Sequence, residues 1–170
     1  MSMICQDGLL SWQVLLMTRL DAIDRRILAE LQRDGRMTNQ ALAEKVGLSP
    51  TPCLRRVRRL EEAGIIGGYV AVVDQKAVDL PVSVFISIKL ERQREEDLDR
   101  FAEAVSRWPE VMECYLMTGQ RDYLMRVVCA DLPAYERFLK ARLTRLDGIA
   151  SIESSFALAQ VKHTNVLPLG

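Results

Sequence analysis

The hydrophobic pattern of this chain is purely helical up to Gly64 and mixed beyond it, and that change constrains the fold more than any other feature. Between Leu20 and Gly64, apolar residues recur every three or four positions, the period of helices that bury one stripe. Between Val82 and Phe156, alternating stretches interleave with helical ones in the order strand, helix, strand, strand, helix, strand. That order specifies the split β-α-β module of ferredoxin-like folds. A chain of 170 residues carrying both patterns reads as α+β, with a small helical domain followed by a ferredoxin-like one. An apolar content of 49% with 27% charged residues supplies the cores and excludes a disordered chain.

The helical half is divided by its caps. In "LDAIDRRILAELQRDG", Leu20, Ile23, Ile27, Leu28 and Leu31 form the stripe. Asp21 and Asp24 fall in the first turn, where the helix dipole favours carboxylates, and Gly35 ends the helix. "TNQALAEKVG" predicts a short second helix, capped by Thr38, with Leu42 and Val46 inward and Gly47 as its stop. In "SPTPCLRRVRRLEEAG", Ser49 can cap and Pro50 takes the first helical position. Pro52 still lies in the turn whose N–H groups have no intrahelical partner.

At 100° per residue, Cys53, Leu54, Val57 and Leu60 of this third helix face the other two. Thr51, Arg55 and Arg59 point outward, flanked by Arg56 and Arg58. Within this helix no acid precedes Glu61, and the four arginines form the densest positive block in a chain of 23 basic and 23 acidic residues. With no net charge overall, a polyanion must be met by this local patch. Three helices, the last two joined through "GLS", spell a winged-helix-like helix-turn-helix whose last helix offers guanidinium groups to solvent, clear of acidic neighbours.

After Gly64, "IIGGYVAVVD" predicts a strand and "QKAVDLP" a linker. Strands follow at "VSVFISIKL", "VMECYLMTG", "YLMRVVCAD" and "IASIESSFALAQVK". Helices are expected in "EEDLDRFAEAVSRWP" and in "LPAYERFLKARLTRLDG", the latter with Leu132, Tyr135, Phe138, Leu139, Leu143 and Leu146 inward. Phe85 and Tyr115 fall on the sheet face away from the helices and argue for a dimer packed sheet against sheet. The expected organisation is therefore a helix-turn-helix domain over 17–66, a strand and linker over 67–81, and a ferredoxin-like effector-binding and oligomerisation domain over 82–170. Residues 1–16 read as an extension, because "MTRLDAIDRRIL" opens directly from Met17 into the helical pattern. An intact mass beginning at Met17 is the expected result for the natively expressed protein.

Several functions are disfavoured. The apolar run from Leu9 to Met17 is shorter than the ~20 residues that span a bilayer, so no membrane partner is expected. Four cysteines without a C-x-x-C pair read as reduced thiols. A single histidine, His163, supplies neither a metal site nor a catalytic constellation. Neither an enzyme nor a resident cofactor is expected.

The stretches "LDAIDRRILAELQRDGR", "LAEKVGLSPTPCLRRVRRLEEAGII", "TGQRDYLMRV" and "FALAQVKHTNVLPL" together resemble the Lrp/AsnC family of transcription regulators, also called feast/famine regulatory proteins. The resemblance implies double-stranded DNA as partner, read as a pseudo-palindromic operator by homodimers that assemble into tetramers or octamers. It implies an amino-acid effector sensed by the second domain, and a cytoplasmic, nucleoid-associated protein.

Thr51 and Arg55 would lie near base edges, and Ser49, Arg56 and Arg59 toward phosphate and sugar, with Pro50 opening the helix. Arg36, Thr38, Asn39 and Gln40 are further phosphate candidates. Arg56→Ala is expected from this placement to flatten the salt dependence by about one. Turn chemistry alone makes Asp122 of "TGQRDY" a residue that bonds its own backbone. The resemblance instead makes this loop an amino-acid pocket. Gly119, Gln120 and Arg121 would hold the carboxylate and Asp122 the α-ammonium, with Tyr123, Ser155 and Phe156 as neighbours. An architectural DNA-wrapping protein without an effector is the alternative.

Overall fold

The computed structural model describes residues 19–169. The expected extension over 1–16 lies outside the described residues. The described residues divide into two compact units, one of 19–71 together with 162–169, the other of 72–161.

The first unit holds α1 (Ala22–Arg33), α2 (Asn39–Val46) and α3 (Pro50–Glu62). Each begins where its cap dictates. Asp21 accepts from the Asp24 N–H at 2.8 Å and Asp24 from the Asp21 N–H at 3.2 Å, a reciprocal capping box. Thr38 caps α2 by accepting from the Ala41 N–H at 3.2 Å. Gly47 ends α2 at φ 74°, a left-handed conformation that glycine adopts without cost. Gly47→Val is expected to cost about 1–2 kcal/mol, read as a lower thermal midpoint. Ile27, Leu28, Leu42, Val46, Cys53, Val57 and Leu60 form the core. Leu54, expected inward, is 38% exposed instead. It lies 100° from Cys53 in the direction of Arg55, and Cys53, Val57 and Leu60 already fill the stripe.

The tail packs with this unit. Leu169 packs on the first core. Arg25 donates to the Leu169 carbonyl at 2.8 Å, and Gln32 bonds the backbone of Leu167.

The second unit holds β1 (Val82–Leu90), α4 (Glu95–Ser106), β2 (Val111–Leu116), β3 (Tyr123–Cys129), α5 (Leu132–Ala141), a 3-10 turn at Leu143–Arg145 and β4 (Ile149–Phe156). The sheet order is β2-β3-β1-β4, every pair antiparallel, which is the ferredoxin-like arrangement. Val84, Ile86, Ile88 and Leu90 of β1 join Met125 and Val127 of β3 under Phe101, Val105, Tyr135 and Phe138 of the two helices. The opposite sheet face leaves Phe85 and Tyr115 exposed.

Three expectations fail locally. The stretch around Gly67 and Gly68 forms no strand; Tyr69, Val70, Val72 and Val73 are exposed and unladdered. A single extended segment cannot satisfy its own N–H and C=O groups, and among the described residues none pairs with it. The last strand stops at Phe156, short of "ALAQVK". Leu132 is exposed because, as the first residue of α5, it lies beyond the edge of the core it was expected to join.

Candidate nucleic-acid interface and effector loop

Chain geometry fixes where α3 starts. Pro50 and Pro52 occupy the first turn, where missing N–H donors cost nothing, and Ser49 precedes them in extended conformation without a side-chain cap bond. Asn39 donates from Nδ2 to the Pro50 carbonyl at 2.8 Å. Expected at phosphate, it is half-buried and ties the start of α2 to that of α3. Arg36, Thr38, Gln40, Thr51 and Arg55 are all exposed.

The four arginines do not behave alike. Arg56 Nη1 donates to Asp21 Oδ2 at 2.7 Å and to Asp24 Oδ1 at 2.8 Å. Arg59 Nη2 donates to Asp24 Oδ2 at 2.6 Å. The Asp24 side chain is 1% exposed, that of Arg56 26% and that of Arg59 49%. The expectation of a face clear of acids is therefore corrected for Arg56 and Arg59. Their partners come from α1, 32 to 35 positions upstream, where no helix-internal spacing could announce them. Arg56→Ala should accordingly act through the loss of this ion cluster rather than by removing a phosphate contact.

Arg55 and Arg58 are exposed and, among the described residues, have no carboxylate partner. An open groove of about 520 Å³ runs along this face, bordered by Thr51, Leu54, Arg55, Arg58 and Glu62 as well as the paired arginines. Arg58, read only as a flank, is thus one of the two available cations.

In the second unit, Gly119 turns the β2–β3 connection at φ 106°. Asp122 is buried, and its carboxylate reaches outside its own turn. Oδ2 accepts from the Leu90 N–H at 2.7 Å and from Gln93 at 3.4 Å; Oδ1 accepts from Lys89 at 3.3 Å. The Asp122 N–H donates to the Ile88 carbonyl at 2.9 Å, so the residue pins the connection to the end of β1. Arg121 pairs with Glu153 of β4, a neighbour that sequence reasoning missed along with Lys89 and Gln93. Gln120 is exposed.

The other expected neighbours diverge. Tyr123 is core: its ring lies 4.5 Å from that of Phe101 and its hydroxyl donates to the Leu98 carbonyl at 3.0 Å. Ser155 and Phe156 are adjacent on a strand and so point to opposite faces. Phe156 stands edge-on to Tyr135, 5.2 Å between centroids. Ser155 pairs with Phe85, whereas Asp122 sits beside Ile88 to Leu90, roughly 10 Å or more along the strand. A cavity of about 740 Å³ opens instead between α4 and β2, floored by Leu98, Ala102, Val105 and Leu116 and rimmed by Glu95, Asp99 and Glu113. Of the expected effector residues, it includes only Tyr123.

Two protonation equilibria follow from these contacts. The Asp24 N–H and then Arg56 hold the Asp21 carboxyl below its usual range. Burial opposes ionisation of Asp122, but Leu90, Lys89 and Gln93 together outweigh it and lower that carboxyl too. A carboxylate depressed in the folded state contributes stability above its unfolded value of about 3.9, and loses it as pH falls through the folded value. Both units should therefore hold a flat thermal midpoint above about pH 5 and lose stability below about pH 4, as calorimetry across that range would record. The described thiols are shifted away from the reactive thiolate. Burial pushes Cys53 and Cys129 up, and holds Cys114 at about 11 although it sits on an exposed edge strand. His163 is exposed.

Comparison with known proteins places both units. The winged helix-turn-helix DNA-binding family matches residues 20–66, and the Lrp/AsnC ligand binding domain matches residues 83–167. The Bkd operon transcriptional regulator of Pseudomonas aeruginosa is 49% identical over 153 residues, covering 90% of this chain and all of that protein. The leucine-responsive regulatory protein of Haemophilus influenzae is 43% identical over 88% of this chain and 90% of its own length. Among solved structures, a transcriptional regulator of Neisseria meningitidis in complex with L-Met superposes with a TM-score of 0.84. It is 41% identical and covers 89% of this chain and 97% of that one.

Proposed function

The chain belongs to the Lrp/AsnC family of DNA-binding transcriptional regulators, and from that premise we propose that it reads pseudo-palindromic operators as a homodimer whose assembly responds to an amino acid. The observation that carries the DNA-binding part is the exposed face of α3. There Arg55 and Arg58 stand without carboxylate partners beside Thr51, on a helix whose start is fixed by Pro50. A helix so presented fits the major groove, with its N-terminal residues toward base edges. Ser49, Arg36, Thr38 and Gln40, all exposed, would meet phosphate around it.

The effector part is supported by the ligand-binding family that spans the second unit and by the relative solved with L-Met. The loop from Gly119 to Asp122 is the proposed contact: exposed N–H groups near Gly119 suit a carboxylate, and the remaining lone pairs of Asp122 suit an ammonium in competition with Lys89. Exposed Phe85 and Tyr115 support a sheet-to-sheet dimer, and tetramers or octamers would follow from contacts between dimers. No helix among the described residues is long and apolar enough to cross a membrane; a DNA-reading role would put the protein on cytoplasmic DNA as part of the nucleoid.

An effector acts by binding one assembly more tightly than another. Calorimetric titration with each proteinogenic amino acid, coupled to sedimentation, should find at least one that releases or absorbs heat and changes the assembly. Silence from all of them would leave a DNA-wrapping architectural protein as the better reading.

A further inference from the structure

We propose that Asp21 and Asp24 form a charge-limiting clamp, withholding Arg56 and Arg59 from DNA phosphates and so restraining sequence-independent binding. The inference rests on α3 being the DNA-binding helix. Asp24 is a buried carboxylate satisfied by three donors from three residues: Arg56, Arg59 and the Asp21 N–H. Asp21 adds a second acceptor for Arg56, and the same two carboxylates close the capping box of α1. Helix start and arginine clamp are thus one structure.

Its consequence for DNA follows from charge. Every arginine that reaches a phosphate strengthens binding to all sequences alike and steepens the salt dependence by about 0.9. Four free arginines would make α3 a general polyanion binder. The clamp cancels half of that charge and leaves Arg55 and Arg58 available. Exchange of Asp24 for a phosphate is disfavoured, because a stranded carboxylate would remain at a site with no solvent exposure. Arg56 and Arg59 become positioning residues that hold α3 against the start of α1.

The test is a salt titration of the full chain, by fluorescence anisotropy, on a mixed-sequence duplex and on a duplex enriched from a random pool by the wild-type protein. Asp24→Asn frees Arg59 while Arg56 keeps Asp21, so the log–log salt slope should steepen by about one. Asp21→Asn with Asp24→Asn frees both, for about two, and asparagine preserves the N-cap of α1. At about 0.1 M salt, mixed-sequence affinity should rise roughly tenfold for each freed arginine. Folded variants that keep the wild-type slope would overturn the clamp and leave Asp24 with a packing role alone.

If the aspartate variants do not fold, Arg59→Gln and Arg58→Gln decide. The clamp predicts an unchanged slope for Arg59→Gln and a slope shallower by about one for Arg58→Gln; equal losses would overturn it. A wild-type protein that binds neither duplex at low salt would remove the DNA-binding reading itself, and the clamp with it. A wild type that binds, with insensitive variants, removes the clamp alone.

Discussion

Replacing Arg55 and Arg58 together with alanine should lower affinity for duplex DNA about a hundredfold at about 0.1 M salt and flatten the salt slope by about two. Both side chains are exposed and unpaired among the described residues, so the fold should survive, with stability changed by no more than ~0.5 kcal/mol. The loss follows from counterion release, since each guanidinium placed on a phosphate frees about one condensed cation. If one of the pair contacts a base edge instead, discrimination among sequences falls along with affinity. Anisotropy titrations on the enriched and mixed-sequence duplexes separate these cases. Unchanged binding by a folded double variant would show that α3 does not meet DNA through this face.

The second large effect is expected at Asp122. Asp122→Ala removes an acceptor from the Leu90 N–H, Lys89 and Gln93 at once and leaves a buried backbone donor unpaired. The orphaned donor and the lost charge-assisted bonds together should cost about 2–3 kcal/mol, read as a drop in the denaturant midpoint of the second unit. Asp122→Asn retains an acceptor for the Leu90 N–H and should recover part of that loss. If the loop also senses an amino acid, both variants lose the calorimetric response while the DNA affinity of the first unit persists. Wild-type stability in Asp122→Ala would contradict the anchoring role drawn from the geometry.

The fold was legible where periodicity and caps agreed. The alternating residues from Val82 to Leu90 form one of the two central strands with the expected inward face, and Thr38, Gly47 and Pro50 bound their helices where they should. Legibility ended wherever a partner decides. "YVAVV" has the composition of a strand, but a strand needs a ladder, and the described chain offers it none.

The candidate site divides along the same line. The outward direction of Arg55 follows from helical geometry alone. The engagement of Arg56 and Arg59 depends on acids from another helix, which the absence of acids within α3 concealed. Position alone puts Asp21 and Asp24 in the field of the helix dipole, yet their second task is tertiary. Ser155 and Phe156 could have been separated in advance, because neighbours on one strand cannot line one pocket.

Everything proposed for the first unit requires α3 to read DNA as one half of a symmetric pair. Selection of duplexes from a random pool by the full chain, followed by hydroxyl-radical footprinting, decides whether it does. An enriched pseudo-palindrome is expected, with protected half-sites separated by whole helical turns of about 10–10.5 base pairs and with that protection lost in the Arg55→Ala/Arg58→Ala variant. A pool that yields no common sequence, or protection that survives in the variant, would rule it out.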